Sequence, residues 1–312
     1  MNILLIAGGW SSEREVALTG ARSIEKALRE NGHTVTLFDP ATSLEGLIEA
    51  ASGVDFAFIN LHGSPGEDGL IQALLDRVGC PYQGSGPAGS FLALNKAAAK
   101  HLFRSGGLRT ADWVLLPRRP EPGWRPPFAF PLFIKSNTGG SSLGMERVLS
   151  AEELEPALDR LFAKGGEFLV EAAIEGEELT CGVLGDEALA PILIRSKRPD
   201  GFFDYANKYG GAEGAEEICP APLSEADTLA VRRAALTAHR LLGLSGYSRA
   251  DFIRGKDGAL FILEVNTLPG MTPASLIPQE ARVAGLSYAD FLEKLITLGL
   301  AERKNEAAAA RR

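Results

Sequence analysis

Short apolar runs alternate with amphipathic stretches along the first third of the chain, a pattern that predicts a parallel sheet. The runs that predict strands span residues 3–7, 34–38 and 56–60. After the first strand, Gly8-Gly9 predicts a turn, and Ser12 with Glu15 has the spacing of a capping box. We therefore expect a helix that begins near Ser12 and ends near Asn31.

The rest of the chain contains further strand and helix patterns, separated by polar, glycine-rich or proline-rich segments. Strands are predicted around residues 133–135, 145–148, 167–170, 179–184, 189–194 and 247–253, and helices near 96–104, 225–242, 274–284 and 289–298. The proline-rich segment 117–127 interrupts regular structure, and we interpret it as a surface connection. These changes of pattern place domain boundaries near residues 94 and 182.

Composition limits the class of protein. The 312 residues are 45% hydrophobic and 23% charged, an ordinary balance for a globular chain of two or three domains. The net charge of −8 argues against broad nucleic-acid binding, which needs a basic surface. Cys80, Cys181 and Cys219 lack the paired spacing of a zinc site or disulfide framework, which favours reduced thiols and a cytoplasmic location. No apolar stretch approaches the length of a membrane span, and residues 1–9 predict a buried strand rather than a signal peptide.

Two acidic residues and an amide converge on one face of a predicted hairpin. Glu264 and Asn266 are two residues apart on a strand, so their side chains share a face. A two-residue turn at Asp257-Gly258 would place Asp251 opposite Glu264, and Arg249 opposite Asn266. Opposed carboxylates repel, and a divalent cation such as magnesium would remove that cost while also holding substrate phosphates. A solvated acidic hairpin is the alternative, but the apolar neighbours of the pair favour a metal–phosphate site.

A loop of small residues at 137–144 predicts a place where backbone amides can approach a phosphate closely. Lys135, on the strand before it, could add positive charge to the same group. The loop lacks the Gly-x-x-x-x-Gly-Lys-Ser/Thr pattern, which disfavours a P-loop fold. Alone, such a loop is more often a hairpin connection. Together with a magnesium site it indicates an enzyme that uses ATP and magnesium, although the residues alone do not identify the substrate.

Several other polar residues admit both a functional and a structural explanation. They are Glu13, His62, Lys96, Glu171, Glu178 and Tyr209. Glu13, in the first turn of a predicted helix, is sufficiently explained by the helix dipole. A lysine on an Ala-rich helix is exposed by default, and glutamates at a strand end could simply be solvated. The histidine and the tyrosine lie in irregular loops, where the histidine could be functional and the tyrosine could be an anchor only.

A set of short motifs extends in order from the first strand to about residue 284. Its members are residues 8–16, 61–63, 66–69, 84–86, 140–145, 204–205, 208–209, Arg249 with Asp251, and 264–272. In this order the set resembles the D-alanine–D-alanine ligase family of the ATP-grasp superfamily. The resemblance implies an α/β (α+β) ATP-grasp fold: a Rossmann-like domain over residues 1–94, a central domain over 95–182 and a C-terminal domain over 183–312. ATP would lie between the central and C-terminal sheets.

The resemblance also implies the reaction. ATP would phosphorylate the carboxylate of one D-alanine, and the amine of a second D-alanine would attack the acyl phosphate. The products would be D-alanyl-D-alanine for peptidoglycan synthesis, ADP and phosphate. The implied cofactors are ATP and Mg²⁺, with two ions bound and Mn²⁺ able to substitute. The implied partners are D-alanine, ATP and a second copy of the chain in a homodimer, without nucleic acid or membrane.

Roles for individual residues follow from the resemblance, position by position. The implied nucleotide contacts are Lys96 and Lys135 at the phosphates, Ser141 in the loop that covers them, Glu171 near the adenine, Glu178 at the ribose, and Lys208. The implied metal ligands are Asp251, Glu264 and Asn266. The implied substrate contacts are Glu13 at the ammonium of the first D-alanine, His62 beside it, and Ser275 and Leu276 at the carboxylate of the second. Arg249 and the Gly270 amide would stabilise the oxyanion of the tetrahedral intermediate, and Tyr209 would lie on a loop that reaches Ser141 and Glu13.

The resemblance bears on the second substrate as well. Related ligases that make D-alanyl-D-lactate tend to carry histidine at the position of Tyr209, so the tyrosine favours an amine nucleophile. Ligases that make D-alanyl-D-lactate or D-alanyl-D-serine are the alternatives within enzymes. A non-catalytic nucleotide-binding module is the alternative of another class, and the retained Arg249, Asp251, Glu264 and Asn266 argue against it. Two departures from the family are Ala172-Ala173, where lysine and a bulky residue are usual, and Trp10, where a small residue is usual.

Overall fold

The structure, a computed structural model, describes residues 1–140, 144–197 and 215–309. Three of the residues to which a role was assigned, Ser141, Lys208 and Tyr209, lie outside the described residues. Their roles therefore stay predictions.

A parallel sheet forms the N-terminal part, as the alternating pattern predicts. Its strands β1 (Asn2–Ala7), β2 (Thr34–Phe38) and β3 (Phe56–Asn60) pair in the order β2-β1-β3, and both pairs are parallel. The helices of this part are α1 (Arg14–Glu30), α2 (Gly46–Ser52), α3 (Leu70–Val78) and α4 (Pro87–Leu94). All five residues of β3 are buried, which explains why its sequence is almost wholly apolar.

The start of α1 differs from the prediction. The helix begins at Arg14 with Glu13 at the N-cap position, and no side chain caps it. Instead, the Ser11 hydroxyl accepts a hydrogen bond of 3.1 Å from the Glu13 backbone N–H. The capping box of Ser12 and Glu15 was therefore wrong, because the helix starts later in the chain than that box requires. The consequence is that Glu13 stands at the helix entrance, buried, with its carboxylate beside the site described below.

The middle part is a four-stranded antiparallel sheet. It follows helix α5 (Lys96–Ser105) and consists of β4 (Trp113–Leu116), β5 (Leu132–Ser136), β6 (Glu146–Val148) and β7 (Phe168–Ala172), in the order β4-β7-β5-β6. Helix α6 (Ala151–Phe162) covers one face and buries Leu154, Leu158 and Leu161. Neither β4 nor α6 was predicted. The 117–131 connection carries no strand or helix, but Trp124, Phe128 and Phe130 pack on this core, so it is more than a surface segment.

The C-terminal part is a second, larger antiparallel sheet with helices around it. Its strands are β8 (Gly176–Leu184), β9 (Glu187–Ala188), β10 (Ile192–Ser196), β11 (Ala215–Ile218), β12 (Tyr247–Gly255) and β13 (Leu260–Asn266). They pair in the order β11-β10-β8-β12-β13, with β9 on β8. The helices are α7 (Glu225–Leu241), α8 (Leu276–Val283) and α9 (Tyr288–Ala309). Residue 182, near which a boundary was predicted, lies inside β8, and the chain changes sheets between β7 and β8. The division into three domains remains a prediction.

The β12–β13 hairpin has the predicted pairing of Asp251 with Glu264, but its loop and its ladder differ from the prediction. Its loop has three residues, Lys256, Asp257 and Gly258, and Gly258 has a φ of +79°, so the two-residue turn was wrong. The ladder beyond this loop is offset by one residue until an irregularity between Asp251 and Phe252 restores it. At that bulge Leu263 is the extra residue, and Asp251 then pairs with Glu264 as predicted.

The C-terminal helices complete the N-terminal core rather than forming a separate one. Phe291, Leu292, Leu295 and Ile296 of α9 are at most 2% exposed and belong to the same apolar cluster as β1 and β3. The first strand and the last helix of the chain are therefore parts of one hydrophobic core. None of the described helices is long and apolar enough to cross a membrane.

This shared core makes a specific prediction about stability. Leu295→Ala should lower the free energy of unfolding by about 3 kcal/mol, because it leaves a cavity beneath the parallel sheet. Leu300 lies on the same helix but is 36% exposed, so Leu300→Ala serves as the matched control and should change stability by less than about 0.5 kcal/mol. Urea denaturation of both variants measures the difference. Equal losses would contradict the packing of α9 described here.

Candidate active site

A cavity of about 540 Å³ is lined by residues of both antiparallel sheets, with Lys96 at the start of α5 and the glycine loop at its wall. Its volume is in the range of small-molecule sites. Apolar side chains such as Phe133, Met145 and Leu263 lie beside charged ones. The charged lining residues are Lys96, Lys135, Arg147, Glu171, Glu175, Glu177, Glu178, Arg195, Asp251 and Glu264. The cavity thus contains most of the residues predicted to contact the nucleotide and the metal.

One wall carries a buried chain of alternating charges. The Glu171 carboxylate forms ion pairs with Lys135 Nζ at 2.6 Å and with Lys100 Nζ at 2.7 Å. Lys100 is fully buried and also donates to the Thr110 hydroxyl, which in turn donates to the Ile262 carbonyl at 2.7 Å. The network therefore connects the four-stranded sheet, through α5, to the neighbouring sheet.

Attraction between the opposite charges keeps the linked side chains of Lys100, Glu171 and Lys135 ionised. Burial lowers the pKa of Lys100 to about 8 despite the charge of Glu171. Burial alone would lower the pKa of Lys135 and raise that of Glu171, but the attraction between them outweighs it, so the pKa of Lys135 is raised and that of Glu171 is lowered. The lysine that faces the cavity is thus a fixed positive charge, which suits an anionic ligand.

At and beside the opposite wall, three neighbouring strands carry two rows of side chains on one face of the sheet. In each row the three residues are directly paired, so their side chains share a face. The first row is Thr180, Asp251 and Glu264, and the second is Gly182, Arg249 and Asn266. Ala250 and Val265 point to the other face, where they join the core under α7. The bulge at Leu263 produces this arrangement, since Leu263 and Glu264 both line the cavity although they are consecutive.

The two opposed carboxylates already have cationic partners. Arg249 donates to both oxygens of Asp251, each at 2.8 Å, and Lys96 Nζ lies 3.3 Å from Glu264 Oε2. Lys96 also donates to the Gly139 carbonyl at 2.6 Å, which ties the glycine loop to this wall. A divalent cation is therefore not required to make this proximity tolerable, contrary to the expectation from the sequence. Arginine and lysine supply the compensation.

The donor set nevertheless fits a hard cation. Among the residues that the structure describes, no three His, Cys, Asp or Glu side chains form a metal cluster. The predicted ligands contain two carboxylates and one amide, which suits a magnesium ion that completes its shell with phosphate oxygens and water. Asn266 Nδ2 now donates to Asp251 Oδ2 at 3.0 Å, so its amide would have to turn to offer oxygen. Asp251 Oδ1 also accepts from Thr180 at 2.7 Å, which holds the carboxylate in place.

A second group of buried polar residues lies beyond the glycine loop. A Cβ on Gly140 would be 3.0 Å from Glu13 Oε2, so the N-cap carboxylate of α1 lies directly against the loop. His62 is buried, its Nδ1 is 3.1 Å from the Leu268 carbonyl, and burial lowers its pKa. Glu67 accepts from the Gly63 N–H at 2.8 Å, and burial raises its pKa to about 7. This group of buried polar side chains lies between the N-terminal loops and the segment after β13.

The segment after β13 leads into the N-terminus of α8. Ser275 is the N-cap, and its hydroxyl accepts from the Thr272 N–H at 3.0 Å. A Cβ on Gly270 would be 3.1 Å from that hydroxyl, so a larger residue would press on it. The first N–H groups of a helix attract carboxylates, and those of Leu276 and Ile277 lie in the first turn, where the helix itself offers them no acceptor.

The structure thus brings only some of the predicted residues to the cavity. Lys96, Lys135, Glu171, Glu178, Asp251 and Glu264 line the cavity, whereas Glu13, His62, Arg249, Asn266, Gly270, Ser275 and Leu276 do not. Glu171 contacts two lysines rather than open space. Sequence reasoning missed Lys100, Glu67 and Thr180. Lys100 follows Lys96 by four residues and so shares its helix face, a spacing that could have identified it.

Comparison with known proteins agrees with this geometry. The profile described as "D-ala D-ala ligase C-terminus" matches residues 102–297. The D-alanine–D-alanine ligase of Nitratidesulfovibrio vulgaris strain DP4 is 64% identical over 300 residues, 96% of this chain and 98% of that protein. The chain belongs to the D-alanine–D-alanine ligase family.

Solved structures of the family have the same fold. The Bacillus anthracis D-alanine–D-alanine ligase complexed with ATP superimposes with a TM-score of 0.87 at 33% identity, covering 98% of this chain and 99% of that one. The VanG D-Ala:D-Ser ligase of Enterococcus faecalis gives a TM-score of 0.80 at 29% identity, covering 95% and 98%. The predicted ATP-grasp fold is confirmed.

Glu67 should make stability depend on pH. Its pKa is about 7 in the folded protein against an ordinary value of 4.5, so the folded state binds the proton more tightly. Its contribution is fully present below pH 4.5 and is lost as the pH rises through 7. Relative to Glu67→Gln, the wild type should therefore lose up to about 3 kcal/mol of unfolding free energy across this window. Urea denaturation of both proteins between pH 5 and pH 8 measures it, and parallel pH curves would contradict the assignment.

Proposed function

We propose that the chain is an ATP-dependent ligase that joins two D-alanines into D-alanyl-D-alanine, forming ADP and phosphate. The observation that carries the proposal is the cavity between two sheets, in which Lys96 and Lys135 face Asp251 and Glu264. Such a site offers positive charge for phosphates beside oxygen ligands for a cation. Membership of the family supports the reaction class and the use of ATP.

In the first step the carboxylate of one D-alanine attacks the γ-phosphate of ATP, and ADP leaves. Lys96 and Lys135 hold the phosphates, because both ammonium groups lie at the cavity wall and Lys135 is fixed by Glu171. Glu178 binds the ribose at the far end of the cavity. Glu13, buried against the glycine loop beside His62, binds the ammonium of this first D-alanine. The product of the step is a D-alanyl phosphate.

In the second step the amine of the other D-alanine attacks the acyl carbon, and phosphate leaves after the tetrahedral intermediate collapses. Arg249 and the Gly270 N–H stabilise the oxyanion of that intermediate. Arg249 is held by its two bonds to Asp251, so little reorganisation is needed when the charge develops. Ser275 and the N-terminus of α8 bind the carboxylate of the incoming D-alanine.

Mg²⁺ is the metal that we propose for Asp251, Glu264 and Asn266, with Mn²⁺ able to substitute. When bound, it supplies charge neutralisation at the transferring phosphoryl group. We also propose two ions and a homodimer, both of which rest on the family resemblance. The product would serve peptidoglycan synthesis in the cytoplasm.

The choice of second substrate is tested by phosphate release. D-alanine alone with ATP and magnesium should give turnover, with the dipeptide identified by mass spectrometry. Adding D-lactate or D-serine at the same concentration should yield at least about tenfold less mixed product, a preference of the size that single contacts provide. If D-alanine alone gave no turnover while a mixed pair did, the proposed specificity would be refuted.

The metal ligands are tested by a double substitution. Glu264→Gln with Asn266→Ala should lower magnesium-dependent phosphate release by about 100-fold or more, because it replaces one carboxylate ligand by a neutral amide and removes the amide ligand altogether. Glu187→Gln, at an exposed position of the same sheet, is the control and should keep full activity. Nucleotide binding without metal, measured by calorimetry, should persist in the double variant. Unchanged ATP consumption would exclude these residues as ligands.

A further inference from the structure

A buried carboxyl group of α8 occupies the space over Gly182. A Cβ built on Gly182 would lie 2.3 Å from Glu280 Oε2, so no other residue fits this position while Glu280 stays in place. Gly182 is directly paired with Arg249, and directly paired residues direct their Cβ atoms to the same face. The Oε2 atom is therefore on the face that carries the Arg249 side chain. Glu280 is fully buried there.

The other oxygen of Glu280 accepts a hydrogen bond from β8 at a position where no described neighbouring strand offers a carbonyl. The N–H and C=O groups of Gly182 point away from β12. The carbonyl accepts a hydrogen bond of 2.8 Å from the Leu189 N–H, which belongs to neither the β8–β9 nor the β8–β10 ladder. The Gly182 N–H donates to Glu280 Oε1 at 3.0 Å. A buried N–H needs an acceptor, and here a helix side chain supplies it. The bond fixes α8 to the central strand of the sheet.

The anchor is close to the second amino-acid subsite. Glu280 follows Leu276 by four residues, which places both on the same face of α8 about one turn apart. Ser275, the N-cap of α8, comes directly before Leu276. Since the helix is rigid over this distance, fixing Glu280 fixes where Ser275 and the first N–H groups of the helix stand relative to Arg249.

Charge also connects Glu280 to Arg249. Burial would lower the pKa of Arg249, but Asp251 raises it well above its usual range, and Glu264 and Glu280 add to that effect. Burial raises the pKa of Glu280 itself to about 8, against the opposing effects of the Gly182 N–H and Arg249.

The Oε2 atom of Glu280 has no hydrogen-bond partner among the described residues. Such a buried polar atom is costly, and sites tolerate it where function requires it.

We propose that Glu280 is a positioning residue that holds the N-terminus of α8 in register with Arg249, and that Gly182 is its obligate counterpart. The inference rests on the proposed function, since it concerns the subsite of the second D-alanine. It assigns no contact between Glu280 and substrate. The glutamate acts through α8, so it should affect the binding of the second D-alanine and leave the nucleotide cavity unchanged.

The test compares Gly182→Ala, Glu280→Ala and the double variant. In Gly182→Ala the new methyl group displaces the carboxyl, and in Glu280→Ala the anchor is lost. Each should raise the KM of the second D-alanine about tenfold with less than about a twofold change in the KM of ATP. In the double variant the anchor is already absent and the added methyl group no longer meets a carboxyl, so the KM should be raised about tenfold, no more than in Glu280→Ala alone, which is a non-additive result. Gly53→Ala, at an exposed glycine with free space around it, is the control.

Two further measurements keep the test decisive. Glu280→Gln retains an oxygen acceptor for the Gly182 N–H and should keep the KM of the second D-alanine within about threefold of wild type. Hydrogen exchange of the backbone amides of residues 276–283 reports on the anchor without requiring turnover. Exchange should be faster in both single variants than in wild type. An unchanged KM in both single variants, or additive losses in the double variant, would overturn the proposal. If the wild type makes no dipeptide, the proposed function fails, and hydrogen exchange still decides whether the anchor exists.

Discussion

The bulge at Leu263 determines which side chains of β13 face the cavity. Without the extra residue, the ladder near the hairpin loop would continue and Asp251 would pair with Leu263, which would send Glu264 and Asn266 to the core under α7. A slip of one residue exchanges the two faces of a strand, so a single insertion moves a carboxylate and an amide from an apolar core to a polar wall. The proposed metal site and the setting of Arg249 depend on this local irregularity. Bulges are common where a sheet must redirect side chains at a functional site.

Charges at and beside the cavity are held in pairs by other protein groups. Lys135 is fixed by Glu171, Lys96 lies near Glu264, and Arg249 is clamped by Asp251. Burying an isolated charge costs several kcal/mol, whereas a compensated set can remain ionised inside the protein. A phosphate or a metal ion that enters the cavity therefore exchanges partners with groups already in position. Preorganised charge of this kind is the main physical source of catalysis in phosphoryl transfer.

Local patterns predicted much of this architecture, and their failures have physical causes. β2 and β3 were placed at their observed bounds because each is a short apolar run between polar turns. The start of α1 was missed because a capping box describes only its own residues, whereas here the preceding Ser11 hydroxyl accepts from the Glu13 N–H and the helix begins one residue later. The Asp251–Glu264 pairing was right although its turn was wrong, since the three-residue loop and the bulge each shift the register by one. Such compensating irregularities leave no trace in hydrophobic periodicity.

Buried charge is harder to predict than sheet topology, because a charged residue looks the same in sequence whether it is solvated or paired. Lys100 and Glu280 both lie on helices whose remaining buried residues are mostly apolar, and each finds its partner on a strand far along the chain. Sequence alone offers only their spacing from Lys96 and Leu276, four residues in each case. The two departures from the family pattern are more local. Ala173 lines the cavity with a small side chain, and Trp10 is 49% exposed. Neither departure removes a charge from the two walls on which the chemistry depends.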